Sequence, residues 1–265
     1  MKPFQFSAGT LPLLVSIPHA GTALTPEVKA GLSDAASGLP DTDWHLAQLY
    51  DFVQSLGASV LIGNYSRFVI DLNRPADDQP LYASATTGLF PETLFDGTPT
   101  FKSGMTPGTE QRQHYLATLW TPYHQKLQHE LARLKQQYGY ALLFDAHSIA
   151  SVIPRLFDGR LPDLNLGTNN GLSSSPAIDA ALIACCEAQT RFSWIVNGRF
   201  KGGYITRAYG KPEQQQYAVQ LELAQCNYMD EQPPFGWQGA RAAELQPLLQ
   251  QLINTLLAQG AAAAR

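Results

Sequence analysis

The sequence predicts an α/β protein in which a mixed, largely parallel sheet has helices on both faces. Short apolar runs suited to buried strands alternate along the chain with longer segments whose apolar residues recur at helical spacing. Strands and helices that alternate in this way form sheets that are covered on both sides. No repeat or low-complexity linker divides the chain, so we expect one domain over residues 1–265.

Five short segments have the pattern of strands. Most are apolar runs bounded by turn residues, and the last alternates apolar and polar residues as a strand does. In chain order they cover residues 11–17, 58–62, 67–72, 141–144 and 217–223. A turn at residues 63–64 is expected to join the second strand to the third.

Four longer segments are predicted to be helices, over residues 41–56, 109–137, 176–190 and 237–259. Asp41 is expected to cap the first helix at its N-terminus, and Gly57 to end it. Pro122 is expected to kink or split the second helix, because proline lacks the N–H that the helix needs.

Two long stretches between these elements are predicted to be loop insertions, at about residues 75–108 and 151–175. They carry many Gly, Pro and Thr residues and few apolar residues in a regular pattern. Structured loops of this length in a compact domain are often functional, so we expect both to lie over one rim of the sheet.

The composition favours a compact enzyme and excludes several other classes of protein. Apolar residues make up 45% of the chain and charged residues 15%, which is not the composition of a disordered chain. Lys and Arg total 18 against 22 Asp and Glu, so no broad basic field exists for nucleic acid or an anionic membrane. No transmembrane span is predicted either.

The N-terminal region and the cysteines point to the cytoplasm. Pro12 and Pro18 interrupt the first apolar run, and no small-residue cleavage site follows it, so no signal peptide is expected. The three cysteines are an odd number without a CxxC pair, which predicts neither a disulfide framework nor a zinc-binding cysteine motif.

Polar residues follow two of the predicted strands at the points where these strands end. His19 comes after the first apolar run, and Asp145 and His147 follow the run at 141–144. The carboxyl ends of strands in an open α/β sheet form the rim where ligands bind, so two imidazoles can meet there at one metal ion. Asp145 shares a strand face with His147 and is expected to hold a ring of the site in one tautomer.

These residues also have an ordinary interpretation. A histidine after a strand is usually a hydrogen-bonded polar residue, and the two histidines lack the fixed spacing of a motif such as HExxH. A catalytic metal site needs a third ligand, for which Asp43 is the candidate and Asp41 the alternative. Acidic residues at the start of a helix also stabilise its dipole without binding a metal. Weaker candidates are His45, His124 and His129.

A carboxylate inside the last predicted strand bears on catalysis. Alternation places Gln220 and Glu222 on the face opposite the apolar side chains. A buried carboxylate needs a partner or a purpose, and Glu222 near a metal can act as a general base toward water. The alternative is a salt bridge on a solvated face of the sheet.

Arginines in two further segments suit an anionic ligand. Arg74 lies beside Asn73 at the end of the predicted strand 67–72, and a guanidinium binds a carboxylate with two parallel hydrogen bonds. A structural pair between Arg67 and Asp71 explains part of the same pattern. Residues 197–207 form a glycine-rich basic loop that lacks the order of a Walker motif.

Six motifs in register resemble those of one family. They are SIPHAG at 16–21, DTDW at 41–44, SRFVIDLNR at 66–74, DAHS at 145–148, NGRFKGG at 197–203 and VQLE at 219–222. Together they resemble the N-formylglutamate amidohydrolase family of histidine degradation, over about residues 5–258. The resemblance implies a fold similar to the zinc carboxypeptidases and aspartoacylases.

The resemblance also implies a site and a reaction. It makes His19, Asp43 and His147 the ligands of one divalent ion, expected to be Zn²⁺, and Glu222 the general base. Asn73 and Arg74 match a carboxylate-binding pair. His19 departs from the wider superfamily, because Ala-Gly-Thr follows it instead of an acid three residues on.

The implied reaction is hydrolysis of N-formyl-L-glutamate to formate and L-glutamate. The substrate is a small dianion, so two cationic anchors are expected, with Arg74 as the first and Arg207 as the second. The alternatives are an amidohydrolase for another N-acyl amino acid or for peptidoglycan, and a non-catalytic carboxylate-binding protein.

Overall fold

A single seven-stranded sheet forms the centre of the molecule. The computed structural model describes residues 2–81 and 86–263, and the spatial order of the strands is β1-β3-β2-β4-β7-β5-β6. The strands are β1 (Phe4–Ser7), β2 (Leu13–Ile17), β3 (Ser59–Gly63), β4 (Ala141–Ile149), β5 (Leu164–Gly167), β6 (Trp194–Val196) and β7 (Gln216–Ala224).

The middle of this sheet is parallel. Strands β3, β2, β4 and β7 run parallel to one another, and β6 runs parallel to β5. The antiparallel pairs are β1 with β3 and β5 with β7. All residues of β2 and β4 are buried, as expected for strands that are covered on both faces.

Helices cover both faces of the sheet, which confirms the predicted fold class. The helices are α1 (Pro26–Gly31), α2 (Leu46–Leu49), α3 (Phe52–Leu56), α4 (Thr109–Tyr115), α5 (Thr121–Tyr138), α6 (Pro176–Glu187), α7 (Tyr204–Tyr209) and α8 (Gly239–Ala263). Helices α2, α3, α6 and α8 bury apolar residues in the core on one face. Helices α1, α4, α5 and α7 contribute to the core on the other face.

The second predicted helix is divided just before Pro122, as expected. A π-helical turn over Leu116–Trp120 separates α4 from α5, and Pro122 lies in the first turn of α5. The wider turn fits this position because proline cannot donate a backbone hydrogen bond and its ring crowds the preceding turn.

The prediction of a strand over residues 67–72 is wrong. This segment forms turns, in which Val69 donates its N–H to the carbonyl of Ser66. The side chains of Arg67 and Asp71 meet at 2.6 Å. Residues four apart in an extended strand would lie roughly 13 Å apart, so the ion pair itself requires a folded-back chain.

The predicted helix over residues 41–56 is wrong in its first part. Residues 41–45 form turns, and the helical structure is limited to the short helices α2 and α3. Asp41 does not cap a helix, because its side chain accepts the backbone N–H of Phe95 at 2.9 Å. His45 precedes α2 with a positive φ of 60°.

Three strands escaped the sequence analysis. Strands β1 and β6 are short and lie at the two edges of the sheet, where half-exposed residues leave little apolar pattern. Strand β5 lies within the segment 151–175 that we predicted to be an insertion. Residues 82–85 of the other predicted insertion lie outside the described residues. None of the helices in the described part of the chain is long and apolar enough to span a membrane.

Candidate active site

The carboxyl ends of three parallel strands bring the predicted site residues together. His19 follows β2, His147 lies near the end of β4, and Glu222 lies in β7. Glu222 is the direct register partner of His147 on the neighbouring strand. Register partners point to the same face of a sheet, so the carboxylate and the imidazole face the same space.

Two histidines and one aspartate form a buried cluster at this rim. The possible ligand atoms of His19, Asp43 and His147 all lie within 4.8 Å of one another. Asp43 Oδ2 is 3.3 Å from Nδ1 of His147 and 3.9 Å from Nδ1 of His19. A backbone hydrogen bond from Asp43 N–H to the carbonyl of His19 ties the two segments together. Asp41, the alternative ligand, lies outside this cluster.

Two further carboxylates hold the far nitrogens of these imidazoles. Nε2 of His19 lies 2.7 Å from Asp71 Oδ1, and Nε2 of His147 lies 2.9 Å from Asp145 Oδ2. When Nε2 carries the proton that each carboxylate accepts, Nδ1 presents its lone pair toward Asp43. Both rings are therefore oriented as neutral ligands of a shared cation. The sequence suggested this part for Asp145, and the structure shows the same arrangement for Asp71.

The charges around the cluster favour a cation. Asp43, Asp71, Asp145 and Glu222 are buried here against a single buried guanidinium, that of Arg67. Within the described residues Asp43 Oδ1 is buried without a hydrogen-bond partner. A buried carboxylate oxygen without a partner is costly, so the residues present fit a divalent ion held by two imidazoles and one carboxylate.

The pKa values of His147 and Asp71 agree with this demand for positive charge, whereas that of His19 favours the neutral ring. Burial and the charge of Arg67 lower the pKa of His19, although Asp71 opposes them. Burial alone would lower the pKa of His147, but Asp145, Asp43 and Glu222 raise it well above its usual value. Burial opposes ionisation of Asp71, yet His19 and Arg67 hold its pKa well below its usual range. A proton on His147 or a bound metal ion would compensate the same excess of negative charge.

Glu222 is a buried carboxylate close to this cluster. Burial raises its pKa to about 8, against the opposing effect of His147. Its Oε2 accepts a hydrogen bond from Nε2 of Gln220 at 3.3 Å. Within the described residues Glu222 makes no salt bridge, so the alternative of a surface ion pair does not apply. A carboxyl with a pKa near neutrality can both accept and return a proton.

His19 and His147 of the cluster, together with Glu222, line a cleft at this rim of the sheet. Three guanidinium groups line it, those of Arg67, Arg74 and Arg199. The other lining residues are His19, Asn73, Thr86, Thr87, Phe95, His147, Ile149, Leu156, Phe200, Gly203, Gln220 and Glu222.

The Asn73–Arg74 pair lies at this cleft but the two residues are held differently. Arg74 donates to the carbonyl of Thr87 at 2.7 Å and to Thr86 Oγ1 at 3.1 Å, and these hydrogen bonds fix its guanidinium at the edge of the cleft. Asn73 Oδ1 accepts the N–H of Ile205, and its Nδ2 lies 3.0 Å from Nε2 of His147. Because Nε2 of His147 carries a proton in the tautomer described above, the acceptor for the amide N–H of Asn73 is Asp145 Oδ2, 3.5 Å away, while Arg74 supplies the charge.

The glycine-rich loop of residues 197–203 makes this placement of Asn73 possible. A Cβ on Gly203 would lie 2.3 Å from Nδ2 of Asn73, a contact that no side chain can make without displacing the amide. The N–H of Gly203 also donates to Gln220 Oε1 at 2.7 Å. Glycine is required here because the backbone passes so close to a site residue.

The second anchor predicted from the sequence lies elsewhere. Arg207 is on α7, donates to the carbonyls of Gly202 and Leu81, and is not among the described residues that line the cleft. Arg199 lines the cleft instead, with its Nε donating to the carbonyl of Leu156 at 2.8 Å. Arg199 belongs to the same glycine-rich basic stretch of sequence in which we predicted Arg207 as the second anchor.

The remaining histidine candidates have contacts away from the cluster. His45 Nε2 bonds the carbonyl of Phe235, and His124 lies between the carbonyl of Leu72 and the hydroxyl of Tyr209. His129 is exposed on α5. Each of the three is accounted for by hydrogen bonding or by solvent.

The sheet and the buried cluster define a class of protein, an α/β protein with a candidate metal centre at the carboxyl edge of a mostly parallel sheet. Residues 11–229 match the family model of N-formylglutamate amidohydrolase. The chain belongs to the N-formylglutamate amidohydrolase family, as the sequence motifs indicated.

Curated relatives and solved structures agree with this family. A protein from Pseudomonas aeruginosa named N-formylglutamate deformylase is 59% identical over 256 residues, covering 97% of this chain and 96% of the relative. One of the same name from Pseudomonas putida is 57% identical over 260 residues, covering 98% and 97%. The fold is similar to that of an N-formylglutamate amidohydrolase from Ralstonia eutropha JMP134, with a TM-score of 0.82, 21% identity and coverage of 97% and 96%.

Proposed function

We propose that this chain, as one catalytic domain, hydrolyses N-formyl-L-glutamate to formate and L-glutamate in a reaction that depends on a divalent metal ion. The observation that carries the proposal is the buried His19–Asp43–His147 cluster, with Glu222 beside it, at the floor of an arginine-lined cleft. The names of the relatives with 59% and 57% identity support the choice of substrate.

The metal would be held by Nδ1 of His19, Nδ1 of His147 and a carboxylate oxygen of Asp43. Two imidazoles and one carboxylate are a donor set typical of catalytic zinc, which supports Zn²⁺. A bound ion of this kind supplies Lewis-acid polarisation of the substrate carbonyl and of a water molecule. Asp71 and Asp145 hold the two rings in the tautomer that leaves Nδ1 available.

Glu222 carries the proton in this proposal. It accepts one proton from the attacking water as the oxygen–carbon bond forms at the formyl carbon. It then gives that proton to the amide nitrogen as the carbon–nitrogen bond breaks, so formate and the amine of L-glutamate are released. The pKa of about 8 suits both transfers near neutral pH.

Arg67 is the group that stabilises the negative charge on the carbonyl oxygen in the transition state. It is buried, lines the cleft, and is fixed by its 2.6 Å contact with Asp71. Because the donor is already in place, no reorganisation is needed as the charge develops. Loss of such a donor typically costs about 3–4 kcal/mol of transition-state stabilisation.

Two arginines serve the two carboxylates of the substrate. Arg74 is the first anchor, with Asn73 as the neighbour that contacts His147. Arg199 is the second anchor in place of Arg207, because Arg199 lines the cleft. The formyl group offers very little surface, so most of the binding energy comes from the glutamate half. On the sequence grounds given above, we place the protein in the cytoplasm.

The deciding experiment measures formate released from N-formyl-L-glutamate by the purified protein, before and after chelation and after adding back Zn²⁺, Co²⁺ or Mn²⁺. We expect chelation to abolish formate release and one of the ions to restore it. Undiminished activity in the chelated, metal-free protein would contradict the metal-dependent reaction. A panel of N-acetyl- and N-carbamoyl-amino acids tests the alternative acyl substrates in the same assay.

A further inference from the structure

An apolar wall closes the cleft beside the metal-binding cluster, and two residues form it. The ring of Phe95 lies over the guanidinium of Arg67, with its centroid 4.6 Å from Cζ. Ile149 lies two residues beyond His147 in β4, and therefore on the same face of the sheet. Both side chains line the cleft. The wall is thus adjacent to the place where the scissile carbonyl must bind.

A second cavity lies on the other side of this wall. Phe95 and Ile149 line this second cavity as well as the cleft. Three carboxylates, those of Asp41, Asp96 and Glu231, belong to its lining, and none of the described lining residues is Lys or Arg. The second cavity is therefore acidic, whereas the cleft is rich in arginine.

The wall is held in place by hydrogen bonds. The N–H of Phe95 donates to Asp41 Oδ2 at 2.9 Å, and Arg155 Nη1 lies 3.4 Å from the carbonyl of Phe95. The turn that carries Phe95 is closed by the N–H of Leu94, which donates to the carbonyl of Thr98. Ile149 is fixed by the pairing of β4 with β7. The separation of the two cavities is thus built into the fold.

Charge decides which half of the substrate faces the wall. The two carboxylates of the glutamate half are attracted to Arg74 and Arg199 and repelled by the acids of the second cavity. The acyl substituent lies on the other side of the scissile carbon–nitrogen bond. In N-formyl-L-glutamate this substituent is a single hydrogen atom, which needs no space beyond the wall.

We propose that Phe95 and Ile149 set the acyl-group specificity of this enzyme by excluding N-acyl groups larger than formyl. The inference rests on the proposed function and adds the element that rejects N-acetyl-L-glutamate and its longer analogues. Shortening either side chain joins the cleft to the second cavity. Because that cavity is acidic, the opened site accepts uncharged acyl chains such as acetyl and propionyl and rejects an anionic succinyl group.

The test compares kcat/KM for N-formyl-, N-acetyl-, N-propionyl- and N-succinyl-L-glutamate in the wild type and in Phe95→Ala and Ile149→Ala. We expect the ratio of acetyl to formyl activity to rise at least about tenfold in each variant, since one carbon in a pocket changes specificity by about 10- to 200-fold. N-propionyl-L-glutamate follows the same trend, and N-succinyl-L-glutamate does not.

Two matched controls each shorten a side chain that lines one cavity and not the other. Leu156→Ala enlarges only the cleft, and Val152→Ala enlarges only the second cavity. Both are expected to leave the acetyl-to-formyl ratio within about twofold of the wild type, whatever they do to the individual rates. A rise in Leu156→Ala equal to that in Phe95→Ala would show that general loosening, not the wall, sets the ratio, and would overturn the proposal.

Further outcomes count against the wall. An unchanged ratio in folded, active Phe95→Ala and Ile149→Ala overturns the proposal, as does a wild type that hydrolyses N-acetyl-L-glutamate as well as the formyl compound. If an alanine variant does not fold, the acetyl-to-formyl ratio is measured in Phe95→Leu and Ile149→Val instead. A wild type that releases no formate contradicts the proposed function instead. The wall is then judged by calorimetric Kd values of the N-acyl-glutamates for the wild type and the same variants.

Discussion

Glu222 is a carboxylate in the middle of an apolar strand. Burying a carboxylate there costs free energy, and the proposed role in proton transfer gives a reason for that cost. It is one of four acids packed around two imidazoles and one guanidinium, and its pKa of about 8 reflects burial more than any partner. A structural acid in this position would gain from an ion pair, which Glu222 lacks within the described residues. A substitution of Glu222 can therefore test catalysis separately from metal binding.

We predict that Glu222→Gln lowers kcat by about 10²–10⁴-fold while metal content stays the same, because glutamine keeps the shape but cannot accept a proton. Formate release and the zinc content of the purified variant measure the two properties. The control is Glu244→Gln, at an exposed position on α8, which should change neither property. Turnover of Glu222→Gln at the wild-type rate would remove Glu222 from the reaction.

At the scale of the elements, α5 contacts the backbone of the candidate site through His124. Its Nε2 lies 2.9 Å from the carbonyl of Leu72, the residue before Asn73, and its Nδ1 lies 3.0 Å from the hydroxyl of Tyr209. Trp120, at the end of the π-helical turn, donates its Nε1–H to the carbonyl of Arg74 at 2.9 Å. The π-helical turn and α5 thus hold the backbone on both sides of Asn73 by its carbonyl groups.

His124 should make the stability of the fold depend on pH. Burial lowers its pKa to about 4, below the value of about 6.5 in an unfolded chain. Folding therefore favours neutral His124, so its contribution is complete above pH 6.5 and is lost as the pH falls toward 4. The loss amounts to about 3 kcal/mol at most, at 1.36 kcal/mol for each pKa unit.

Urea unfolding of the wild type and His124→Gln at pH 7 and pH 4.5 measures this contribution. The free energy of unfolding of the variant is expected to fall less between the two pH values. His129→Gln, an exposed position on the same helix, serves as the control and should follow the wild type. Parallel pH profiles for wild type and His124→Gln would refute the assignment.

The sequence predicted an element correctly where the local pattern of apolar and polar residues was clear. Strands β2 and β4 were found from continuous apolar runs, and the polar residues after them indicated His19 and His147; β7 was found from its alternation, which also indicated Glu222. The segment 67–72 was misread because its apolar residues are buried in turns, which period-two reasoning cannot distinguish from a strand. Asp71 therefore escaped notice as the partner of His19, since that contact spans 52 positions.

At the scale of the whole molecule, the site is assembled from segments that are far apart in the chain. His19, Asp43 and His147 come from three segments, so the cluster exists only in the folded protein. A metal ion that binds the folded state and not the unfolded one stabilises it by mass action. At a free concentration 100 times Kd the gain is about 2.7 kcal/mol.

We predict that chelation lowers the thermal midpoint of the wild type, and that adding Zn²⁺ back restores it. The same treatments should leave His147→Ala unaffected, because one ligand of the proposed centre is missing. Differential scanning calorimetry of both proteins measures the effect. An equal response of wild type and His147→Ala would place the metal elsewhere.

The long-range contacts also set the limit of the sequence analysis at this scale. The order of the motifs identified the family, but which arginine reaches the cleft depends on how two loops fold over the rim. Arg199 and Arg207 are eight positions apart in the sequence, but Arg199 lies in the loop before α7 and Arg207 lies in α7 itself. Phe95 likewise gains its place from a hydrogen bond to Asp41, 54 positions away.

The pairing of β4 with β7 has a consequence for how this protein can change. His147 and Glu222 face each other because nine consecutive residue pairs keep the two strands in step. Inserting or deleting one residue in β7 before Glu222 would turn Glu222 to the opposite face of the sheet, and the same change in β4 before His147 would turn His147 away. The spacing between the proposed metal ligand and the proposed general base is thus set by the hydrogen-bond ladder between the two strands, which a change in strand length would disrupt.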